Sequence, residues 1–327
     1  MRNSVANWDL HPKDFDKAEE LYNRALEAAP RHATILGAYA NFFLNVRKDF
    51  DKAEELYELA LEAAPKHASN LGAYARFLLY VRKDFDKAEE LYNRALEAAP
   101  KHANSLGAYA ILLSHVRKDF DKAEELYKRS IEAAPRHATI LGVYARFLSN
   151  VRKDFDEAEE LYKRAIEAAP NVANILESYA DFLAAIRKDF DKAEELYKRA
   201  LEADPNNANT IGNYAGMLLA LGRHTDGLSL LERALDVPDS ILAVRAECWF
   251  YALAHRAPEQ RGEALAQLKR LIGGEGARSP GWDLSGNVDR ARSDGHPDAA
   301  WLSLLADVIN EKAEPAALNA WPAWMAA

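Results

Sequence analysis

Four histidines, His32, His67, His102 and His137, recur at a fixed interval along this 327-residue chain and are the first residues in it that could do chemistry, as metal ligands or proton carriers. Their interval argues against shared coordination, because equivalent residues of stacked helical units stand at least about 8–10 Å apart. They read as turn residues at the start of a helix. Ser279, Asp283 and His296 are the residue types of a hydrolytic triad, but no nucleophile-elbow motif surrounds the serine. The glycines of GGEGARSPG, residues 273–281, lack the Gly-Lys-Ser/Thr ending of a phosphate loop and follow a helical pattern instead of a strand. The single cysteine, Cys248, excludes an internal disulfide and reads as a small buried hydrophobe. No catalytic centre, cofactor site or metal site is expected, so the chain is not read as an enzyme.

Those histidines belong to a longer pattern. The phrase RKDFDKAEELY starts at Arg47 and returns at Arg82, Arg117 and Arg187, with Glu157 in place of Lys in the copy from Arg152. Lys13, Lys48, Lys83, Lys118, Lys153 and Lys188 set a period of 35 residues, and Pro30, Pro65, Pro100, Pro135, Pro170 and Pro205 close the copies. Each copy predicts two helices. The second has an apolar face of Ala53, Leu56, Tyr57, Ala60, Leu61 and Ala64, with Asp51 and Glu54 spaced as a capping box and Pro65 as its stop. The first runs from about Ala68 to Arg82 on Leu71, Tyr74, Ala75, Leu78 and Val81, and places Arg82 and Lys83 at the negative end of its dipole. The recurring Arg-Lys is therefore read as structural and not as a phosphate site.

Composition narrows the partners. Hydrophobic residues make up 49% and charged residues 28%, as in a folded soluble protein, and a net charge of −9 argues against a general binder of nucleic acid or anionic membrane. Without an apolar run of membrane-span or signal length, the expectation is a cytoplasmic protein.

The pattern Leu71, Tyr74-Ala75, Leu78, then Ala88, Tyr92, Ala95 and Pro100, resembles the tetratricopeptide repeat, and recurs as Leu106, Tyr109, Ala110, Leu113 and as Leu141, Tyr144, Ala145, Leu148. Two features depart from the family: a period of 35 where 34 is usual, with the extra residue expected near the turn between helices, and Leu or Ile in place of the first Trp. From Asn206 the spacing drops to 34, with Gly222 at the turn. The resemblance implies an all-α fold, a right-handed α-solenoid of stacked antiparallel helix pairs with an irregular helical C-terminal cap. The expected organisation is an N-terminal segment 1–12, a repeat array 13–239, a degenerate helix pair 240–272 and a Trp-rich cap 273–327. The array comprises a half repeat 13–30 and copies 31–65, 66–100, 101–135, 136–170, 171–205 and 206–239. Trp8 either covers the exposed N-terminal end or the chain begins inside a longer array. Trp249, Trp282, Trp301, Trp321 and Trp324 cluster in the last quarter, where an apolar face lacks a next repeat.

If the repeated residues are scaffold, function belongs to positions where copies differ. One column of the first helix reads Asn41, Arg76, Ile111, Arg146, Asp181, Gly216, and another Asn45, Tyr80, His115, Asn150, Ala185, Ala220. Four residues apart, the columns share a helix face, and the resemblance places that face in the concave groove. Neutral drift on an exposed face is the plain alternative. A third column holds Gly37, Gly72, Gly107, Gly142 and Gly212, each costing about 0.5–1 kcal/mol in a helix, offset either by close helix packing or by room for a ligand backbone. Glu177 replaces that glycine in one copy, beside Asp181 and with Asn213 in the next. The reading is a non-enzymatic adaptor binding a protein or peptide segment. Arg76 and Arg146 would meet carboxylates, Tyr80 would pack an apolar side chain, and Asn41, Asn45, Asn150 and Asn213 would bond peptide groups. A spacer array without a ligand is one rival. RNA is the other: YARF at Tyr74 and YADF at Tyr179 are similar to the half-a-TPR family of RNA-processing scaffolds, whose Trp and acidic residue after the Phe are missing here. Near-neutral repeats also offer little to a pentatricopeptide-like reading.

Overall fold

The computed structural model describes residues 12–238, 240–274, 276–278 and 283–327. Among them every regular element is helical, and successive helices pack in pairs, so the architecture is an all-α solenoid. Compactness divides the chain into Met1–Lys153 and Asp154–Ala327, a point inside the copy 136–170 that no change of sequence marks. The first unit holds α1 (Pro12–Ala28), α2 (Ala33–Phe42), α3 (Phe50–Ala63), α4 (Ala68–Phe77), α5 (Phe85–Ala98), α6 (Ala103–Leu112), α7 (Phe120–Ala133) and α8 (Ala138–Phe147). In the second unit, α9 (Phe155–Ala168), α10 (Ala173–Phe182), α11 (Phe190–Ala203), α12 (Ala208–Ala220) and α13 (His224–Leu235) continue the pattern. They lead into α14 (Leu242–His255), α15 (Arg261–Lys269), α16 (Ser285–Ser293), α17 (Ala299–Ile309) and α18 (Pro322–Ala326).

Most residues of the repeated phrase have a visible task. Asp49 is the N-cap of α3, its carboxylate accepting from the Lys52 amide at 3.0 Å, and Asp84 and Asp119 do the same for α5 and α7. The capping box expected at Asp51 and Glu54 is therefore corrected: the cap lies two residues earlier. Asp51 and Glu54 instead receive Arg82 of the following copy, Nη2 to Oδ1 at 2.5 Å and Nε to Oε2 at 2.7 Å. Arg117 repeats this on Asp86 and Glu89, Arg152 on Asp121 and Glu124, and, in the second unit, Arg187 on Asp156 and Glu159. The arginine is structural, as a clamp between copies as well as a helix-end cation. Lys87 and Lys122 donate to the Tyr74 and Tyr109 hydroxyls at 2.8 and 3.1 Å.

The extra residue of the 35-residue period lies inside a helix. Each first helix ends in five residues of π-helix, Leu78–Arg82 after α4 for example, and the next residue, Lys83, takes the left-handed conformation at φ 59°. Lys48, Lys118, Lys153 and Lys188 follow suit at φ 57–59°. The 34-residue copy has no such turn: α12 stays α-helical to Ala220, and Gly222 (φ 77°) makes the reversal. The expected insertion between the helices is thus a widened last turn of the first helix.

Copies join through tyrosines. Tyr57 stacks on Tyr74 of the next copy at 5.4 Å, Tyr92 on Tyr109 at 5.7 Å and Tyr127 on Tyr144 at 5.3 Å. A Cβ at Gly37, Gly72 or Gly107 would collide with Asn70 Oδ1, Ser105 Oγ or Ile140 Cδ1 of the next first helix. Close packing, not room for a ligand, accounts for these three glycines. In the second unit α12 and α13 share one core with everything after them, from Ile211 and Leu231 through Phe250, Leu268 and Leu302 to Trp321 and Trp324. Trp301 stacks on Trp321 at 5.8 Å. Trp8 and Trp282 lie outside the described residues.

Candidate functional site

The sequence-level candidates for chemistry resolve into structural roles. His67 and His137 cap α4 and α8, each Nδ1 facing the amide three residues on at 3.3 and 3.4 Å, while His102 turns its Nδ1 to Ser105 Oγ at 2.8 Å. His296 uses Nε2 on the Leu253 carbonyl and Nδ1 on the Asp298 amide, and Asp283 accepts from Ser285, so neither is turned to the other. Ser279 lies outside the described residues.

In the first unit the varied columns lie on α2, α4, α6, α8 and their π turns. Arg76, Asn45, Tyr80, His115, Arg146 and Asn150 are exposed, and Asn41 and Ile111 half-buried. Arg76 and Arg146 have no ion pair among the described residues, although Arg47, Arg82, Arg117 and Arg152 in the same unit are each held by an Asp and a Glu. The two converge electrostatically on Tyr80, whose ring is 50% exposed: partial burial raises its hydroxyl pKa, and both guanidiniums oppose the rise. His115 is held below the usual histidine range by partial burial, with Arg146 adding to the fall, and its Nδ1 faces Ile111 O at 3.1 Å. Seventy residues of chain separate Arg76 from Arg146, and the stacking of copies brings both charges within reach of Tyr80.

Beneath this face lies a feature that sequence reasoning missed. The tyrosines of α3, α5, α7, α9 and α11 are buried, each sixteen residues after a position of the first column. Tyr57 donates to Asn41 Oδ1 at 2.9 Å, and Tyr197 to Asp181 Oδ1 at 2.6 Å. The corresponding residue for Tyr92 is Arg76, which has donors only. The Tyr92 hydroxyl can therefore not donate to it, nor does it accept from it or from any other of the described residues, although its ring is wholly buried. Burial raises its pKa first, the nearby Tyr80 hydroxyl adds to the rise, and the Arg76 charge opposes it. The signal was available: a fixed tyrosine sixteen residues after a varied position.

The second unit treats the same columns differently. Glu177 is buried and accepts from Asn209 Nδ2, from Thr210 Oγ1 at 2.9 Å and from Asn213 Nδ2 at 3.4 Å. Asp181 takes Asn213 Nδ2 at 3.2 Å besides Tyr197. Glu177, Asp181 and Asn213 are thus brought together, as a polar link between α10 and α12 and not as a row of exposed side chains. Glu247 of α14 stands close enough for the charges of Asp181 and Glu177 to raise its pKa further, after burial as the larger cause. Its carboxylate accepts from the Tyr251 hydroxyl on one oxygen only. At Gly216 a Cβ would meet the Tyr251 ring at 2.5 Å, and Gly286 of α16 faces Ala220 at 3.5 Å on the same measure, so later helices cover both columns there.

Comparison with known proteins agrees with this architecture. Tetratricopeptide repeat profiles match residues 13–68, 67–136, 116–173, 150–208 and 184–240. No curated protein matches. Among solved structures, Pseudomonas aeruginosa pilF is 19% identical with a TM-score of 0.54, over 63% of this chain and 92% of that one. PilW, described as a widely conserved type IV pilus biogenesis factor, is 20% identical with a TM-score of 0.50, over 61% and 89%. A tetratricopeptide repeat protein from Parabacteroides merdae is 16% identical with a TM-score of 0.51, over 85% and 98%. At such identities the likeness establishes the fold alone. With period, helix pairing and profiles in agreement over residues 13–240, the chain belongs to the tetratricopeptide repeat family.

Proposed function

We propose that this chain is a non-enzymatic adaptor that holds an acidic protein segment, extended or helical, against the first-helix face of its first unit. Tetratricopeptide repeats generally mediate protein–protein contacts, which favours a protein partner. One observation carries the reading: the arginine that ends each π turn is clamped by an Asp and a Glu, whereas Arg76 and Arg146, on the same first helices, stand exposed without an acidic partner among the described residues. Arg76 and Arg146 meet carboxylates of the partner, Tyr80 packs an apolar side chain between them, and Asn45 and Asn150 bond peptide groups. Asn41 is engaged with Tyr57 and Gly37, and Glu177, Asp181 and Asn213 with one another and their neighbours, so the proposal gives these four no direct contact. Among the described residues no helix is long and apolar enough to cross a membrane. A cytoplasmic location is part of the proposal, and a lone buried thiol suits a reducing compartment.

The test starts from affinity capture and mass spectrometry, followed by calorimetry of the captured partner with Arg76→Glu/Arg146→Glu. A charge-assisted contact is worth about 1.5–3 kcal/mol, so losing one such contact predicts binding at least about tenfold weaker. Arg94→Glu/Arg129→Glu, on second helices where each arginine has only an exposed i,i+4 glutamate as ion-pair partner, is expected to bind nearly as the parent does. Loss of binding in that control with retention in the first variant would move the site off this face. Capture of RNA, with affinity falling steeply in salt, would favour the RNA-processing reading.

A further inference from the structure

We propose that His224, His255 and Asp294 form a binding site for one zinc-class divalent ion, which would tie the last repeat to the helices that follow it. The three offer one ligand atom each, all within 4.8 Å of one another. They come from different elements: His224 is the first residue of α13, His255 the last of α14, and Asp294 the residue after α16. His224 Nε2 lies 3.1 Å from Asp294 Oδ2, and the two imidazole rings have their centroids 5.6 Å apart. Donors of a tetrahedral zinc site with bonds of about 2.0–2.1 Å stand about 3.3 Å apart. The first pair is already at that spacing, and the third donor lies within 4.8 Å of both.

The state of His255 is the second, independent sign. Its Nε2 is 2.8 Å from Oδ1 of the buried Asn287, an acceptor that places the ring proton on Nε2. Nδ1 then keeps its lone pair, and it is buried without a hydrogen-bond partner among the described residues. An outer hydrogen bond that selects the tautomer is what metal-binding histidines characteristically have.

Two imidazoles and one carboxylate suit zinc, cobalt or nickel, and not the all-oxygen preference of calcium or magnesium. His224 and Asp294 are partly exposed, which leaves a fourth position to water. Arg290 grips both oxygens of Asp294, Nε at 3.0 Å and Nη2 at 2.9 Å, and must release one of them. Affinity should therefore fall short of that of a closed four-ligand site.

The experiment uses the full chain without a histidine tag, titrated with zinc sulfate by calorimetry and with cobalt(II) by visible absorption. One ion per chain, a four-coordinate cobalt band and a raised thermal midpoint are expected. His224→Ala removes a partly exposed side chain outside the core and should weaken binding at least about tenfold without changing helicity, and Asp294→Asn should do the same. Absence of saturable one-to-one binding in the parent would overturn the proposal. So would undiminished binding in both variants, which would locate the ion at other histidines such as His67 or His102.

Discussion

Arg76 and Asp181 occupy the same place in two copies of one repeat. Below Asp181 the Tyr197 hydroxyl donates at 2.6 Å, and Asn213 of the next copy closes over the carboxylate at 3.2 Å. Below Arg76 the Tyr92 hydroxyl has no acceptor, and no carboxylate among the described residues answers the guanidinium. A frame copied nearly residue for residue therefore does not impose a repeated surface chemistry. One substitution per copy decides whether the polar groups at that place are satisfied within the protein, as around Asp181, or remain for something outside it, as proposed around Arg76.

The largest effect expected from this contrast concerns the glycine column. Glu177 is accommodated because Asn209, Thr210 and Asn213 receive it, whereas Gly107 faces the apolar end of Ile140. Gly107→Glu should therefore cost about 3–5 kcal/mol, the scale for an uncompensated buried charge, and appear as a large fall in the thermal midpoint. A mild effect would mean that the copies are not packed as closely as described.

Next come the tyrosines. Tyr197→Phe takes a hydroxyl from a carboxylate and should cost about 1.5–3 kcal/mol in denaturant unfolding. Tyr92→Phe removes a hydroxyl with no partner and should be neutral or slightly stabilising. Equal losses at both positions would erase the distinction between the two faces.

Glu247 gives a pH test of the acidic side. Its carboxyl pKa is raised in the folded state, chiefly by burial and further by Asp181 and Glu177. Below the unfolded carboxyl value, about 4.3, both states are protonated and no penalty exists. As pH rises toward the folded value the native state binds more protons than the unfolded chain, so this residue makes stability fall. Glu247→Gln should then match the parent in acid and exceed it at neutral pH, by roughly 1–3 kcal/mol for a buried charge-bearing oxygen without a partner. A parent that is as stable as the variant at pH 7 would count against it.

The array and its helix pairs were legible because periodicity is a local signal that stacking reinforces. What was misplaced lay between copies. Asp51 and Glu54 satisfied a capping-box spacing, yet the partner that claims them, Arg82, is about thirty residues away. The extra residue could be counted but not located, since identical copies shift together. Glu177 stands out in the sequence only as a departure from the glycine column, because its burial depends on Asn209 and Thr210 of the next copy. Arg76, Tyr80 and Arg146 were found as varied positions, whereas the Tyr92 hydroxyl beneath them was passed over as part of the fixed frame. We still propose residues 273–327 as a cap, since Leu284, Val288, Leu302, Leu318, Trp321 and Trp324 share one core with α12 and α13.

The smallest expected effect bears on the turn that separates the 35-residue copies from the 34-residue one. Lys118 sits at φ 59° after the π turn Leu113–Arg117, where a side chain costs about 1–2 kcal/mol relative to the right-handed region, while the 34-residue copy uses Gly222 at φ 77°. Glycine relieves that strain but adds freedom to the unfolded chain worth roughly 0.5–1 kcal/mol. Lys118→Gly should consequently raise stability by about 0.5 kcal/mol. The gain should be roughly equal at Lys83, which has the same backbone geometry, and be read as a small rise in thermal midpoint with unchanged helicity. Conversely, Gly222→Lys should lower stability, since its turn lacks a π segment and the added side chain would meet the Arg290 guanidinium at 2.6 Å. If Lys118→Gly destabilised instead, the lysine would have to hold the turn by contacts of its own, and the left-handed residue would be part of what separates one kind of copy from the other.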